Sequence, residues 1–222
     1  MKSMYRSTLV GMLGFALLLG AAYLQGGQTA RAAGAQVKRV KTPRERLAER
    51  SFPNVTLTTH EGKKVRFYDD LLKDKIVLIN FMYVKCEGTC PGTTANLLNV
   101  QKLLGDRVSK DIFMYSITLK PEEDTPEVLN RYAKAYKTGP GWLFLTGDPK
   151  DVELLRRSLG FIDRDPVRDA VKSNHIGMLR FGNEPMTLWA GCPSLLGPNK
   201  IVKEIGLVDW PTAEEARRGG DR

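Results

Sequence analysis

Ile76-Val77-Leu78-Ile79-Asn80-Phe81-Met82-Tyr83-Val84 is a nearly continuous apolar run, and Lys85-Cys86-Glu87-Gly88-Thr89-Cys90-Pro91 follows it at once. An unbroken run of this length reads as a central strand covered on both faces. Beyond the cysteines, Leu97, Leu98, Val100, Leu103 and Leu104 form a helical stripe that Gly105 can end. Cys86 and Cys90 therefore stand where a buried strand hands over to a helix.

Working outward, Ile112 to Thr118 predicts the next strand. Asp124-Thr125-Pro126-Glu127 opens a helix to about Lys137, with Thr125 as cap and Pro126 in the first turn. Trp142 to Thr146 is a short strand, and Asp148 caps a helix whose apolar face is Val152, Leu155 and Leu159. Strand and helix thus alternate from Lys75 to Gly160, which calls for parallel strands covered by helices. Val55 to Thr59 and Lys64 to Phe67 flank His60-Glu61-Gly62 as a hairpin. Ile176 to Phe181 and Met186 to Ala190 form another across Gly182-Asn183-Glu184-Pro185, before a last helix from Ser194 or Asn199 to Ile205. The fold class is α/β: a thioredoxin-like fold with a mixed central sheet flanked by helices and an N-terminal β-hairpin. Asp163 to Ser173 is rich in charge without periodicity and is expected to be an exposed loop leading into His175.

The chain has 222 residues, three cysteines and a net charge of +9. Residues 1–25 read as a signal peptide or membrane anchor, because Lys2 and Arg6 precede an uncharged apolar run from Thr8 to Leu24. That run is long for a signal core and short for a span, so cleavage and anchoring both stay open. Residues 26–51 are a charged linker with one helical turn, 52–210 the thioredoxin-like domain, and 211–222 a flexible tail. Lys and Arg are scattered among acids with no aromatic-studded basic stripe, so nucleic acid is not expected as a partner. An exported basic protein instead meets anionic lipid or an acidic partner.

A domain of this size can bury enough apolar surface without disulfides, and a staple across so short a loop constrains the unfolded chain little. The cysteines are therefore read as chemical. At a strand-to-helix junction, unpaired amides and the helix dipole stabilise thiolates, so both sulfurs are expected to be reactive, with Lys85 helping and Glu87 opposing. Their spacing puts both on one side of a turn, where they either form a disulfide or hold one soft metal ion. Ligand sites in such sheets collect beyond the carboxyl ends of the strands. A loop folding over that end would bring His175 to the pair and complete a Cys2His site. Two thiolates and an imidazole suit Cu(I) or Cu(II); a closed zinc site would need Cys192 or His60 as well. Cys192 is either a resolving thiol, a further ligand or a small buried side chain. Met82, Met114, Met178 and Met186 lie in apolar strand patterns and read as core, and His60 as an exposed turn residue.

At these residues the chain resembles the Sco/SenC family of thioredoxin-like copper proteins of respiratory oxidase assembly. The resemblance runs from about Phe52 to Leu207. It rests on Asn80-Phe81-Met82-Tyr83 leading into Cys86-x-x-x-Cys90-Pro91, then Ser116-Ile117-Thr118-Leu119-Lys120-Pro121 with Asp124-Thr125-Pro126-Glu127, then Leu145-Thr146-Gly147-Asp148, then His175. It implies that Cys86, Cys90 and His175 bind copper, as Cu(I), Cu(II) or both. It also implies that the protein passes copper, electrons or both to the copper-accepting subunit of a respiratory enzyme such as cytochrome c oxidase. A thiol reductant is a further implied partner. The location implied is the bacterial periplasm, anchored or soluble after cleavage; a mitochondrial intermembrane space would serve the same design. Two features depart from the family: Asn174 stands where an aspartate is common, and Cys192 is extra.

The rival reading is an exported thiol-disulfide oxidoreductase, with Cys86 as nucleophile, Cys90 as resolving thiol and His175 assisting proton transfer. Three residues between the cysteines argue modestly against it. A peroxidase ranks third, because Val84-Lys85-Cys86 lacks the Thr or Ser such an enzyme wants before its cysteine. The chain thus reads as a copper carrier more than as an enzyme.

Overall fold

The computed structural model describes residues 40–171 and 177–209. The expected signal or anchor, the first part of the linker, the tail and His175 with its neighbour Asn174 lie outside the described residues. The chain divides into Met1–Val40 and Lys41–Arg222, and every described element belongs to the second unit.

The sheet is built around β3 (Ile76–Met82), β4 (Ile112–Thr118) and β5 (Trp142–Gly147), which run parallel. The hairpin β1 (Thr56–Thr59) and β2 (Lys64–Arg66) adds to β5, and the hairpin β6 (Met178–Asn183) and β7 (Leu188–Pro193) adds to β3, both antiparallel. The seven strands run in the order β2-β1-β5-β4-β3-β6-β7. Among the described residues six α-helices connect or flank them: α1 (Pro43–Ser51), α2 (Thr89–Leu104), α3 (Pro126–Tyr136), α4 (Pro149–Ser158), α5 (Pro166–Ala170) and α6 (Pro198–Ile205). The mixed sheet, the helices α2, α3, α4 and α6 and the N-terminal hairpin are those that the sequence predicts.

Successive strand residues point to opposite faces, yet every residue of β3 from Val77 to Met82 is buried. Both faces of that strand are therefore covered, as its unbroken apolar run requires. One buried polar chain locks the three parallel strands in register. The Trp142 indole donates to Ser116 Oγ (2.9 Å), whose hydroxyl donates to Asn80 Oδ1 (2.7 Å). Thr125 and Asp148 cap α3 and α4 as expected, accepting from the amides of Val128 and Lys150, each with proline in the first turn.

Three segments differ from the sequence expectation. Pro43–Ser51, within the predicted tether, is a nine-residue helix rather than one turn. Thr42 and Glu45 form a capping box, and Ala48 packs into the core. Secondly, the last hairpin turns later than predicted, so β7 begins at Leu188 and Met186 lies in the turn instead of a strand. The cause is Glu184, which is buried and accepts from Arg44, from the Tyr68 hydroxyl (2.8 Å) and from the Asp74 amide (2.9 Å). Thirdly, the charged stretch before His175 contains α5. Asp165 caps it, and Asp169 turns inward to take a bidentate contact from buried Arg156, both bonds 2.6 Å. Arg156 also donates to the Phe161 carbonyl (2.8 Å).

This ion pair makes stability depend on acid. The Arg156 guanidinium holds the Asp169 carboxyl well below the usual carboxylate range. Its contribution is complete above the unfolded value of about 3.9 and is lost as pH falls through the depressed folded value. Asp169→Asn is expected to lower stability at pH 7 by about 2 kcal/mol, because it leaves buried Arg156 with the Glu153 carboxylate alone. Urea unfolding of both proteins should show that gap narrowing below about pH 4.

Candidate metal centre

β3 ends at Met82, and the chain leaves the sheet under a specific constraint. Leu119 donates to the Met82 carbonyl (2.7 Å) as the last rung, after which the Val84 amide has no strand to pair with. Asp124 takes it: its Oδ2 accepts from Val84 N (3.1 Å) and from the Thr118 hydroxyl (2.5 Å). The carboxylate is 2 % exposed, and burial raises its pKa despite these two donors. The chain then turns through Lys85 to Gly88 and enters α2 at Thr89, so Cys90 occupies the first turn.

Both cysteines are buried thiols outside any disulfide. Burial alone would raise the Cys86 pKa, yet the net direction is downward. The Cys90 thiol and backbone N–H, the Gly88 N–H and the Tyr83 hydroxyl all donate to its sulfur and favour the anion. Cys90 goes the other way and is pushed up to about 12, first by burial and then by holding its proton toward Cys86, with Asp124 adding like charge. The Tyr83 hydroxyl is likewise pushed up to about 12, by burial and by its hydrogen bond to Cys86. Both sulfurs are expected to be reactive, and the donors here favour the anion on Cys86 over that on Cys90. The helix amides converge on Cys86, and Cys90 is the proton donor of the pair. Lys85 is exposed and sits 3.6 Å from Glu123, a screened surface contact.

The sulfurs are within hydrogen-bonding reach of one another, so a single ion replacing the shared proton would meet both. Two soft, desolvated donors in this arrangement fit Cu(I). Among the described residues no cluster of three His, Cys, Asp or Glu side chains is assembled, and His175 falls in the undescribed stretch 172–176.

The two described ends of that stretch are both held. Before it, Phe161 packs its ring on Phe81 of β3 (centroids 4.8 Å apart), and Asp169 holds the next helix to Arg156. After it, the Gly177 carbonyl accepts from Ser194 N (2.8 Å). The Ser194 hydroxyl meets that of Thr93 (2.9 Å), one turn of α2 beyond Cys90.

Comparison with known proteins agrees with this architecture. The profile described as SCO1/SenC matches residues 44–178, more than half of the chain. The chain belongs to the SCO1/SenC family. A SCO1 protein homolog of Bacillus subtilis is 33% identical over 93 residues, covering 41% of this chain and 47% of that protein. The chain thus spans about half the length of such relatives. Among solved structures, Bradyrhizobium japonicum ScoI with copper bound superposes with a TM-score of 0.56 at 22% identity, covering 69% of this chain and 96% of that one. BsSco, described by its disulfide switch and as a member of the Sco family of cytochrome c oxidase assembly proteins, gives 0.56 at 24% identity, covering 69% and 90%.

Within this SCO1/SenC domain the remaining candidates fall away from the pair. Cys192 is buried on β7 opposite Leu179, and burial together with Glu204 pushes its thiol up to about 11, which disfavours a nucleophile. His60, expected to be exposed, is half-buried. Its Nδ1 accepts from the Phe144 amide (3.2 Å), which leaves Nε2 protonated in the neutral ring and unsuited to a metal. Met82 and Met114 are core, whereas Met178 and Met186 are half-buried.

Tyr83, Thr118 and Asp124 are the site residues that sequence reasoning passed over. Asp124 looked like one more charge at a helix entry, and only its place one residue before the Thr125 cap marked it.

The split in acidity is measurable. Iodoacetamide at pH 7 should label Cys86 well before Cys90 in the reduced protein, as read by peptide mass spectrometry. Labelling of Cys86 should rise with pH and level off below the range of an ordinary thiol. Tyr83→Phe removes one donor, so the half-labelling pH should move upward. Equal labelling of both sulfurs would refute the assignment.

Proposed function

We propose that this protein is an exported copper carrier that holds its cargo with Cys86, Cys90 and His175 and serves the maturation of a respiratory copper enzyme. The observation that carries this reading is the hydrogen-bonded pair of buried thiols at the N-terminus of α2, beyond the carboxyl end of β3. The copper-bound ScoI neighbour and the oxidase-assembly description of BsSco point to the same cargo and class of recipient. His175 is supported by chain length: two residues, at most about 7 Å, separate it from Gly177, which is tied through Ser194 to Thr93.

Cys86 and Cys90 take up the ion by releasing their protons to solvent. Oxidation by a disulfide, which takes up the two electrons and leaves as two thiols, joins the two sulfurs and withdraws both donors, so load and redox state are coupled through the same atoms. The acidity split also favours a second use of the site. The Cys86 thiolate attacks a partner's disulfide, forming a mixed disulfide and freeing one partner thiolate. Cys90, once deprotonated, then attacks Cys86 and frees the second. The same residues could thus reduce a recipient's cysteines before loading them. In this reading residues 1–25 lead the chain out and either anchor it or are cleaved, a short linker follows, and the folded unit begins with α1. No helix among the described residues is long and apolar enough to cross a membrane.

Cu(I) titration of the reduced full-length protein in detergent, against a competing chelator, tests the reading. One equivalent should bind tightly, His175→Ala should weaken binding by at least about tenfold, and Cys86→Ser or Cys90→Ser should remove tight binding. Copper bound no better than by a small dithiol, together with rapid disulfide-reductase turnover, would replace the carrier with the oxidoreductase.

A further inference from the structure

α2 begins without the side chains that usually start a helix. Its cap position is Gly88, which offers no side-chain acceptor, and its first residues are Thr89-Cys90-Pro91-Gly92-Thr93-Thr94. Glycine and threonine are poor helix formers, and only Pro91 suits a first turn. The acceptor that a capping side chain would supply comes instead from Cys86, whose sulfur takes the amides of Gly88 and Cys90. The centre's own sulfur thus caps its helix. A thiolate is a strong acceptor there, and a disulfide sulfur, which carries no charge, is a weak one. Joining the two sulfurs at about 2.05 Å therefore withdraws the cap just when the bond needs Cys90 held in place.

A second attachment does not depend on the sulfurs. The loop of residues 193–197, between β7 and α6, lies against the first two turns of α2. Ser194 Oγ meets Thr93 Oγ1 (2.9 Å), and both residues are buried. Asn96 Nδ2 donates to the carbonyls of Ser194 (2.8 Å) and Leu196 (2.7 Å). Leu195 lies over Gly92, where a Cβ would stand 3.5 Å from its Cδ2. The loop is itself tied to the sheet, because Ser194 N donates to the carbonyl of Gly177, the residue before β6 (2.8 Å). On the other side of the cysteines, Asp124 holds the Val84 amide. Between these two fixed points Lys85, Glu87, Gly88 and Thr89 are exposed.

We infer that Ser194 is a positioning residue for the cysteine pair. Through Thr93 and Asn96 it holds the first turns of α2 in both redox states, so Cys90 stays in place and residues 85–89 carry Cys86 to and from it. The inference rests on the redox use of the pair proposed above. With glutathione disulfide as oxidant, one S–S bond breaks and one forms between Cys86 and Cys90, and the two protons and two electrons leave on two glutathione thiols. The brace has more to hold once the cap is gone. Its loss therefore weakens the oxidised state more than the reduced one.

The test uses the full chain in uncharged detergent and without copper, so it does not depend on the cargo. Equilibration in glutathione buffers gives the constant between disulfide and dithiol, and hydrogen exchange read by peptide mass spectrometry follows α2 in each state. In the unaltered protein, oxidation is expected to alter exchange in residues 85–89 and to leave α2 beyond Thr93 slow. Ser194→Ala, and Thr93→Val with its conserved shape, should each shift the constant at least about threefold toward the dithiol and speed exchange in the first two turns of oxidised α2 at least about tenfold. The double variant should go no further than either single one, and Ser194→Thr should restore the original values. A constant unmoved in both single variants overturns the proposal, as does oxidation that loosens α2 beyond Thr93 in the unaltered protein. Normal oxidation with an unmoved constant sinks the brace alone, whereas a pair that glutathione disulfide does not oxidise sinks the redox reading and the brace with it.

Discussion

The carboxylate of Asp124 sets where β3 stops. A strand buried on both faces cannot simply end, because the next amides would lose their partners in a site that water does not reach; each such loss costs about 1–3 kcal/mol. Asp124 supplies the missing acceptor to Val84 and is itself held by Thr118 of the neighbouring strand. That fixes the turn in which Tyr83 and Cys86 stand and the angle at which α2 begins. Its charge also disfavours a thiolate on Cys90, so one buried carboxylate both shapes the junction and separates the acidities of the two sulfurs.

That separation explains how two cysteines in one apolar corner can do different work. Burial penalises either anion, and the penalty is relieved only where donors converge. They converge on Cys86. Cys90 keeps its proton and lends it as a hydrogen bond, so the pair is poised for one thiolate, which suits attack on a disulfide and stepwise loading of a soft ion.

Much of this was legible from the chain. The unbroken apolar run of β3 announced a doubly covered strand, Thr125 and Asp148 announced their helices, and the strand-to-helix setting of Cys86 and Cys90 announced the centre. Less legible were the segments dominated by charge. In α1 the capping box of Thr42 and Glu45 was hidden among lysines and arginines, and in α5 an aspartate that looks solvated turns inward because Arg156 waits for it. Glu184 likewise seemed a turn residue, yet its buried ion pair extends the last hairpin. In each case polarity suggested solvent, and a specific partner overruled it: a local one for Thr42, and ones 13 and 140 residues away for Asp169 and Glu184.

The sequence by itself determined the order of strands and helices, the position of the cysteine pair and the family to which the chain belongs, because apolar periodicity, caps and short motifs are local. Only the tertiary structure decided which sulfur is activated, that Asp124 and Tyr83 stand beside the cysteine pair, and that His60 has its Nδ1 committed to the backbone. Those facts depend on burial and on which groups meet in the folded chain, and the free energy of a proton or a charge is set by what surrounds it in space.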